Sequence, residues 1–168
     1  MLCKTFAPVR RVALSGLTLT GILIATASAQ EEQIAGTWNC STAFEDAELG
    51  ISMTAEFEST YGADGMLERD GGMNMTIAAL GSEISFMVKA VGTWKAAESM
   101  VIEETISSTE FAAGSEEPSQ IEQMMLQQMQ AQVDGAGPQT DTIQLESLTD
   151  TTMVGANTTG AAVTCQKV

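Results

Sequence analysis

Ile51-Ser52-Met53-Thr54-Ala55-Glu56-Phe57-Glu58-Ser59-Thr60-Tyr61, followed by Gly62-Ala63-Asp64-Gly65, is the stretch that sets the fold class. Ile51, Met53, Ala55, Phe57, Ser59 and Tyr61 alternate with Ser52, Thr54, Glu56, Glu58 and Thr60. A period of two puts one set on a buried face and the other in water, which is the signature of a β-strand. Asp64-Gly65 then sits between two such runs, a strong hairpin signal. The return strand starts at Met66-Leu67 and is interrupted by Arg69-Asp70-Gly71-Gly72. It resumes as Met73, Met75 and Ile77 against Asn74 and Thr76. The glycine pair in the interruption predicts a bulge or bend.

Outward from this hairpin the same period recurs. Gly81-Ser82 makes a turn, after which Ile84, Phe86, Val88, Ala90, Gly92 and Trp94 share one face. Further β-rich runs cover 100–109, 142–148, 151–156 and 161–167, and 34–41 precedes the hairpin. The total is about eight strands joined mostly by short turns. Threonine is abundant in these runs and proline is absent from them, as a sheet requires. One segment departs from the pattern. Between Pro118 and Val133, Ile121, Met124, Met125 and Met129 fall at helical spacing, with Ser115 or Glu117 to cap the start and Gly135 and Pro138 to end it. This predicts a helical insertion over 115–134.

The chain has 168 residues, and the first 29 read as a secretory signal. Lys4, Arg10 and Arg11 precede the apolar run 12–26, and Ala27-Ser28-Ala29 before Gln30 is an A-x-A cleavage site. The general secretory and twin-arginine routes both remain open, since Arg10-Arg11 fits the latter loosely. The run is short for a membrane span, Glu31 and Glu32 follow it at once, and no membrane insertion is expected after signal removal. The expected location is periplasmic or secreted. Residues 30–168 have the length of a single domain.

Cys40 and Cys165 are the two cysteines left after the signal, and an exported chain with two cysteines usually bonds them. Their pairing brings the first and last strands together. An all-β, up-and-down antiparallel barrel satisfies that demand and removes both sheet edges; a β-sandwich is the alternative.

Ile34-Ala35-Gly36-Thr37-Trp38, Tyr61-Gly62-Ala63-Asp64-Gly65 and Val91-Gly92-Thr93-Trp94-Lys95 resemble the motifs of small exported bacterial lipocalin-like (calycin-type) barrels. In lipocalins the G-x-W tryptophan plugs the closed end of an eight-stranded barrel that binds small apolar molecules. The resemblance implies the same for Trp38. The family's late arginine, which packs over that tryptophan, has no counterpart here, because no arginine follows Arg69.

The chemistry is sparse. Histidine is absent from the whole chain, which excludes every Ser-His, Cys-His and His-metal arrangement. Four bases against 22 acids follow the signal, a net charge of −18 that repels phosphate backbones and anionic lipid, so neither nucleic acid nor a membrane surface is expected as a partner. No phosphate-cradling glycine loop, nucleophile elbow or zinc set occurs. No cofactor and no catalytic residue is therefore expected. Glu103-Glu104 adjoin in one strand, so one of them points inward if the strand is regular, and this carboxylate is the one to inspect for burial.

The leading expectation is a non-catalytic binding module for a small apolar ligand, held among the inward residues Trp38, Met53, Phe57, Met75, Ile77, Phe86 and Val88. In that reading Ile121, Met124, Met125 and Met129 form a lid over the barrel mouth, while fixed packing of the helix on the barrel is the plainer reading. The rival class is a structural or interaction protein with a packed barrel and a protein partner. A third reading uses closely spaced methionines such as Met73 and Met75 as soft Cu(I) ligands, although core packing explains the same residues.

Overall fold

The fold is described from a computed structural model that covers residues 29–168, apart from Leu49 and Ser99. The signal segment and Cys3 lie outside the described residues. Eight strands run antiparallel in sequence order and close into a barrel. They are β1 (Gly36–Asp46), β2 (Ile51–Tyr61), β3 (Met66–Ile77), β4 (Ser82–Ala97), β5 (Val101–Ala113), β6 (Gln139–Leu148), β7 (Thr152–Asn157) and β8 (Ala162–Lys167). The helix α1 (Gln120–Ala136) lies between β5 and β6. A helical segment at 29–34 precedes β1, and Ile34 at its end is buried.

The turns form where the sequence supplies the right chemistry. In the β2–β3 hairpin Gly65 takes φ +81°, and Asp64 Oδ1 accepts the backbone N–H of Met66 at 3.1 Å. In the β7–β8 turn Asn157 Oδ1 accepts the N–H groups of Thr159 and Ala161, and Gly160 takes φ +81°.

The expected bulge at Gly71-Gly72 does not occur. β3 pairs with β2 and β4 without a register shift, Phe57 facing Gly71 and Phe86 facing Met73. Gly71 is required for a different reason. A Cβ there would collide with the Phe57 backbone and Cβ, so the glycine lets the two strands curve tightly together. The register shifts fall elsewhere, between Val91 and Gly92 opposite β5 and between Leu145 and Ser147 in β6. In β5 the extra residue is Ser107, whose hydroxyl donates to the Val91 carbonyl at 3.1 Å. Before it Ile102, Glu104 and Ile106 face inward; beyond it Thr109, Phe111 and Ala113 do.

Strand lengths divide the barrel into two halves. β7 and β8 have 6 residues each, whereas β4 has 16 and β5 has 13. β6 pairs with β5 only as far as Ile106, and β8 pairs with β1 only as far as Ala43. One end is therefore ringed by all eight strands, and the other is walled by the long parts of β1 to β5.

In the long half, α1 runs along β5 and touches β4, where a sixth strand would otherwise pair. Gln130 replaces that strand's hydrogen bonds. Its Oε1 accepts Phe111 N–H at 3.1 Å and its Nε2 donates to the Thr109 carbonyl at 3.1 Å. One side-chain amide thus reproduces a ladder rung on an edge that would otherwise stay unpaired. α1 starts two residues later than Pro118. Its cap is Ser119, in a capping box with Glu122, and Ser115 instead donates its hydroxyl to the Glu122 carboxylate. At its other end the helix runs through Gly135 to Ala136.

Candidate functional site

The eight-stranded end is sealed. Ile34, Trp38, Tyr61, Leu67, Trp94, Ile102, Ile143, Leu145 and Met153 form one buried apolar cluster that also takes in Cys40 and Cys165. The two tryptophans enter from matching Gly-Thr-Trp triplets on β1 and β4. Trp38 Nε1 donates to the Ile34 carbonyl at 2.7 Å, and Trp94 Nε1 donates to the Gly62 carbonyl at 2.9 Å. Trp94 also meets Tyr61 edge to face, with ring centroids 5.2 Å apart.

A cation does cover Trp38, although no late arginine exists. Lys167, opposite Trp38 in the β1–β8 register, holds its ammonium 5.0 Å from the indole centroid and donates to the Gln33 carbonyl at 3.0 Å. Gly36, at φ +129°, leaves room for the lysine stem; a Cβ there would lie 2.8 Å from Lys167 Cε.

The disulfide lies one inward position above Trp38. Cys40 and Cys165 are direct register partners on β1 and β8, both buried and bonded, with Cα atoms 4.0 Å apart. The bond joins the two strands whose pairing closes the barrel.

Above the sealed floor the interior becomes polar. Glu104 is the inward member of the Glu103-Glu104 pair and is 2% exposed, while Glu103 points out to Lys95 at 2.6 Å. Arg69 Nη2 donates to both Glu104 oxygens, at 2.9 and 3.1 Å, and Arg69 Nε donates to Ser59 Oγ at 2.9 Å. Tyr61 donates its phenol to Glu104 Oε1 at 2.6 Å. The Phe57 ring lies 4.5 Å from the guanidinium carbon. Five inward side chains from β2, β3 and β5 thus form one buried network, and strand alternation alone brings them together.

This network changes how its members titrate. Burial holds the Tyr61 phenol well above its usual 10.0; the Glu104 charge and hydrogen bond push the same way and Arg69 opposes them. For Arg69, burial is the largest single influence and acts to lower the pKa, but the charges and hydrogen bonds of Glu104 and Tyr61 together outweigh it and the net shift is upward. A raised phenol pKa means that the folded chain holds the Tyr61 proton more tightly than the unfolded chain. Its contribution to stability is complete below pH 10.0 and is lost as pH rises through the folded-state value. Tyr61 is the chain's one tyrosine, so its phenolate absorbance reports a single site. We expect that absorbance to appear only well above pH 10.0 and together with loss of the tryptophan near-ultraviolet circular dichroism. Ionisation near the ordinary value with the fold intact would contradict a buried phenol.

Beyond the network, towards the end walled by β1 to β5, exposure rises at most inward apolar positions, while Ile84 and Phe86 on β4 stay buried. Met53, Ala55, Met73, Met75, Ile77 and Val88 face inward yet are only half-buried, and Phe44 at the rim is 40% exposed. Arg69 itself keeps 20% of its side-chain surface exposed. Its neighbours on the sealed side, Tyr61 and Leu67, keep almost none. Arg69 thus stands between the sealed end and a half lined by inward, half-buried apolar side chains, an apolar cup with an ion pair at its floor.

The residues singled out from the sequence fall in different places. Met53, Met75, Ile77 and Val88 line the cup, and Phe57 covers Arg69. Phe86 is fully buried within the wall, and Trp38 belongs to the sealed end. On α1, Met125 and Met129 are half-buried with Leu126 and Val133, whereas Ile121 and Met124 are 39% and 63% exposed. The helix face that meets the barrel is thus offset from Ile121 and Met124 towards Glu122, Leu126 and Gln130.

Sequence reading missed Arg69, Ser59, Lys167 and Gln130. The Ser59 and Arg69 signal was parity, since both fall on the apolar face of their strands. Among the described residues, no cluster of three or more His, Cys, Asp or Glu is suited to a metal ion. Pockets of 490, 500, 360 and 350 Å³ lie outside the barrel: under the sealed end beside Trp94, over the acidic β1–β3 face, beside the end of α1, and over the β3–β4 face.

Fold and interior together define a closed antiparallel barrel with one packed end and one accessible apolar end. No protein-family model matches the sequence, and no curated protein matches it. No helix among the described residues is long and apolar enough to cross a membrane.

Proposed function

We propose that this chain is an exported, non-catalytic, lipocalin-like module that holds a small apolar ligand in the wide half of its barrel. The observation that carries the reading is the exposure gradient along the inward faces. Apolar side chains at the sealed end are fully buried, whereas at the other end Ile84 and Phe86 are buried but Met53, Met73, Met75, Ile77 and Val88 are inward and still solvated. Accessible inward apolar surface is what an apolar ligand would cover, and flexible methionines adapt to its shape. Lys167 over Trp38 strengthens the lipocalin likeness, because it supplies the cation that the sequence lacks as an arginine. The signal-like first 29 residues and the Cys40–Cys165 bond support export to an oxidising compartment. Non-catalytic character is supported by Glu104, whose two oxygens are already engaged by Arg69 and Tyr61.

A second reading is a structural protein that meets a protein partner. It is favoured by the exposed apolar side chains Met87, Val91, Ile121 and Met124.

Native mass spectrometry of the chain purified from an exported preparation without detergent separates these readings. A discrete adduct that is lost on denaturation and identified as an apolar compound is the expected result. Bare protein, together with no heat of binding on calorimetric titration with fatty acids and their esters, would sink the ligand-binding reading and leave the partner. Metal-sized mass increments would return the methionines as Cu(I) ligands.

A further inference from the structure

We propose that the cup selects a neutral amphipathic ligand whose head is a hydrogen-bond acceptor, an ester or ketone carbonyl, taken by Arg69, and that it discriminates against carboxylates. This rests on the ligand-binding reading above and names the chemistry of its ligand.

Three observations carry it. The guanidinium is partly spent: Nε serves Ser59 and Nη2 serves both Glu104 oxygens, while Nη1 has no hydrogen-bond partner among the described residues. Arg69 also keeps 20% of its side-chain surface exposed where Glu104 keeps 2%, so it is the member of the pair that an entering ligand would meet, with Nη1 as the donor left for it. Once a ligand displaces water from the bottom of an apolar cup, a donor left there without an acceptor is costly, and a carbonyl oxygen on the ligand relieves that cost.

Charge decides which acceptor. Glu104 already neutralises Arg69, both of its oxygens accepting from Nη2 in a low-dielectric site. A carboxylate brought to Nη1 would gain one hydrogen bond, meet the Glu104 charge close by and lose its own hydration. The chain after the signal also carries −18, a field that repels anions from the mouth. A neutral carbonyl meets neither cost. Thr42, on an inward position of β1, has a buried hydroxyl with no partner, a second unsatisfied group on the same interior wall.

The test compares three probes with one chain length, methyl dodecanoate, dodecanoate and dodecane, titrated into the disulfide-bonded wild-type chain and followed by calorimetry and tryptophan fluorescence. The ester should bind about tenfold tighter than the alkane and at least about tenfold tighter than the carboxylate. Arg69→Met should erase the ester-over-alkane preference while keeping alkane binding. Glu104→Gln, which keeps an acceptor for Tyr61 and releases the arginine charge, should reverse the order so that dodecanoate leads.

Each outcome has its own reading. Tighter binding of dodecanoate than of its ester to the wild type would overturn the neutral-head inference and leave a ligand-binding cup. Equal binding of ester and alkane would remove Arg69 from the contact. No binding of any probe would instead sink the ligand-binding reading itself. The wild-type comparison stands alone if Glu104→Gln fails to fold, as judged by near-ultraviolet circular dichroism.

Discussion

Cys40→Ala/Cys165→Ala is expected to lower the unfolding free energy by about 5 kcal/mol, and reduction of the wild-type chain should do nearly the same. The bond closes a loop with a sequence separation of 125, almost the whole domain, so its main effect is to restrict the unfolded chain. That figure is a ceiling, because residual structure in the unfolded ensemble subtracts from it. Domains of this size are stable by only about 5–15 kcal/mol, so the reduced chain sits near the threshold of folding. The measurement is urea unfolding followed by tryptophan fluorescence, with and without reductant. The midpoint should fall and the slope should steepen, since an uncrosslinked unfolded chain exposes more surface. A loss under about 1 kcal/mol would show that β1–β8 pairing closes the barrel without covalent help. The expected loss also ties folding of this chain to oxidation of its two cysteines.

The barrel was legible in the sequence because its signals are local and periodic. The β2 alternation runs unbroken from Ile51 to Tyr61, and Asp64-Gly65 fixes the hairpin that follows it. Two cysteines near the ends then force the first and last strands together, which turns a meander into a closed barrel. The inward carboxylate of Glu103-Glu104 was legible for the same reason of parity.

What escaped depends on tertiary partners. Arg69 looks like part of an interruption because a charge followed by Asp-Gly-Gly reads as a turn; only the Phe57 side chain above Gly71 and the Glu104 carboxylate across the barrel make it an interior strand residue. Lys167 stands in for the lipocalin arginine without resembling it in sequence, because any cation opposite Trp38 serves. The start of α1 was in the sequence as Ser119-x-x-Glu122, a capping box that outranks Ser115 and Glu117 as single caps. Gln130 has no sequence signal at all. Its role exists because β6 stops pairing at Ile106 and leaves a strand edge for the helix to satisfy.

Glu104→Leu is expected to cost about 3 kcal/mol of stability, whereas Arg69→Met/Glu104→Leu should recover most of that loss. Removing only the carboxylate strands a guanidinium in the interior and takes the acceptor from Tyr61 as well. The cost falls at the low end of the range for broken buried pairs because Arg69 retains 20% exposure and can turn towards the mouth. Replacing both partners removes the stranded charge and adds apolar surface next to Phe57, leaving Ser59 and Tyr61 as the groups without partners. Arg69→Met alone strands the buried Glu104 carboxylate and should also cost at least about 3 kcal/mol, so a double-mutant cycle on thermal or urea unfolding should show a coupling of about 5 kcal/mol. Additive losses would mean that the two residues act independently and that the network is not one unit. Full recovery would carry a functional implication. An ion pair that hydrophobic residues replace at no cost is not retained for stability, and the exposed edge of Arg69 at the floor of the cup then supplies the reason for keeping it.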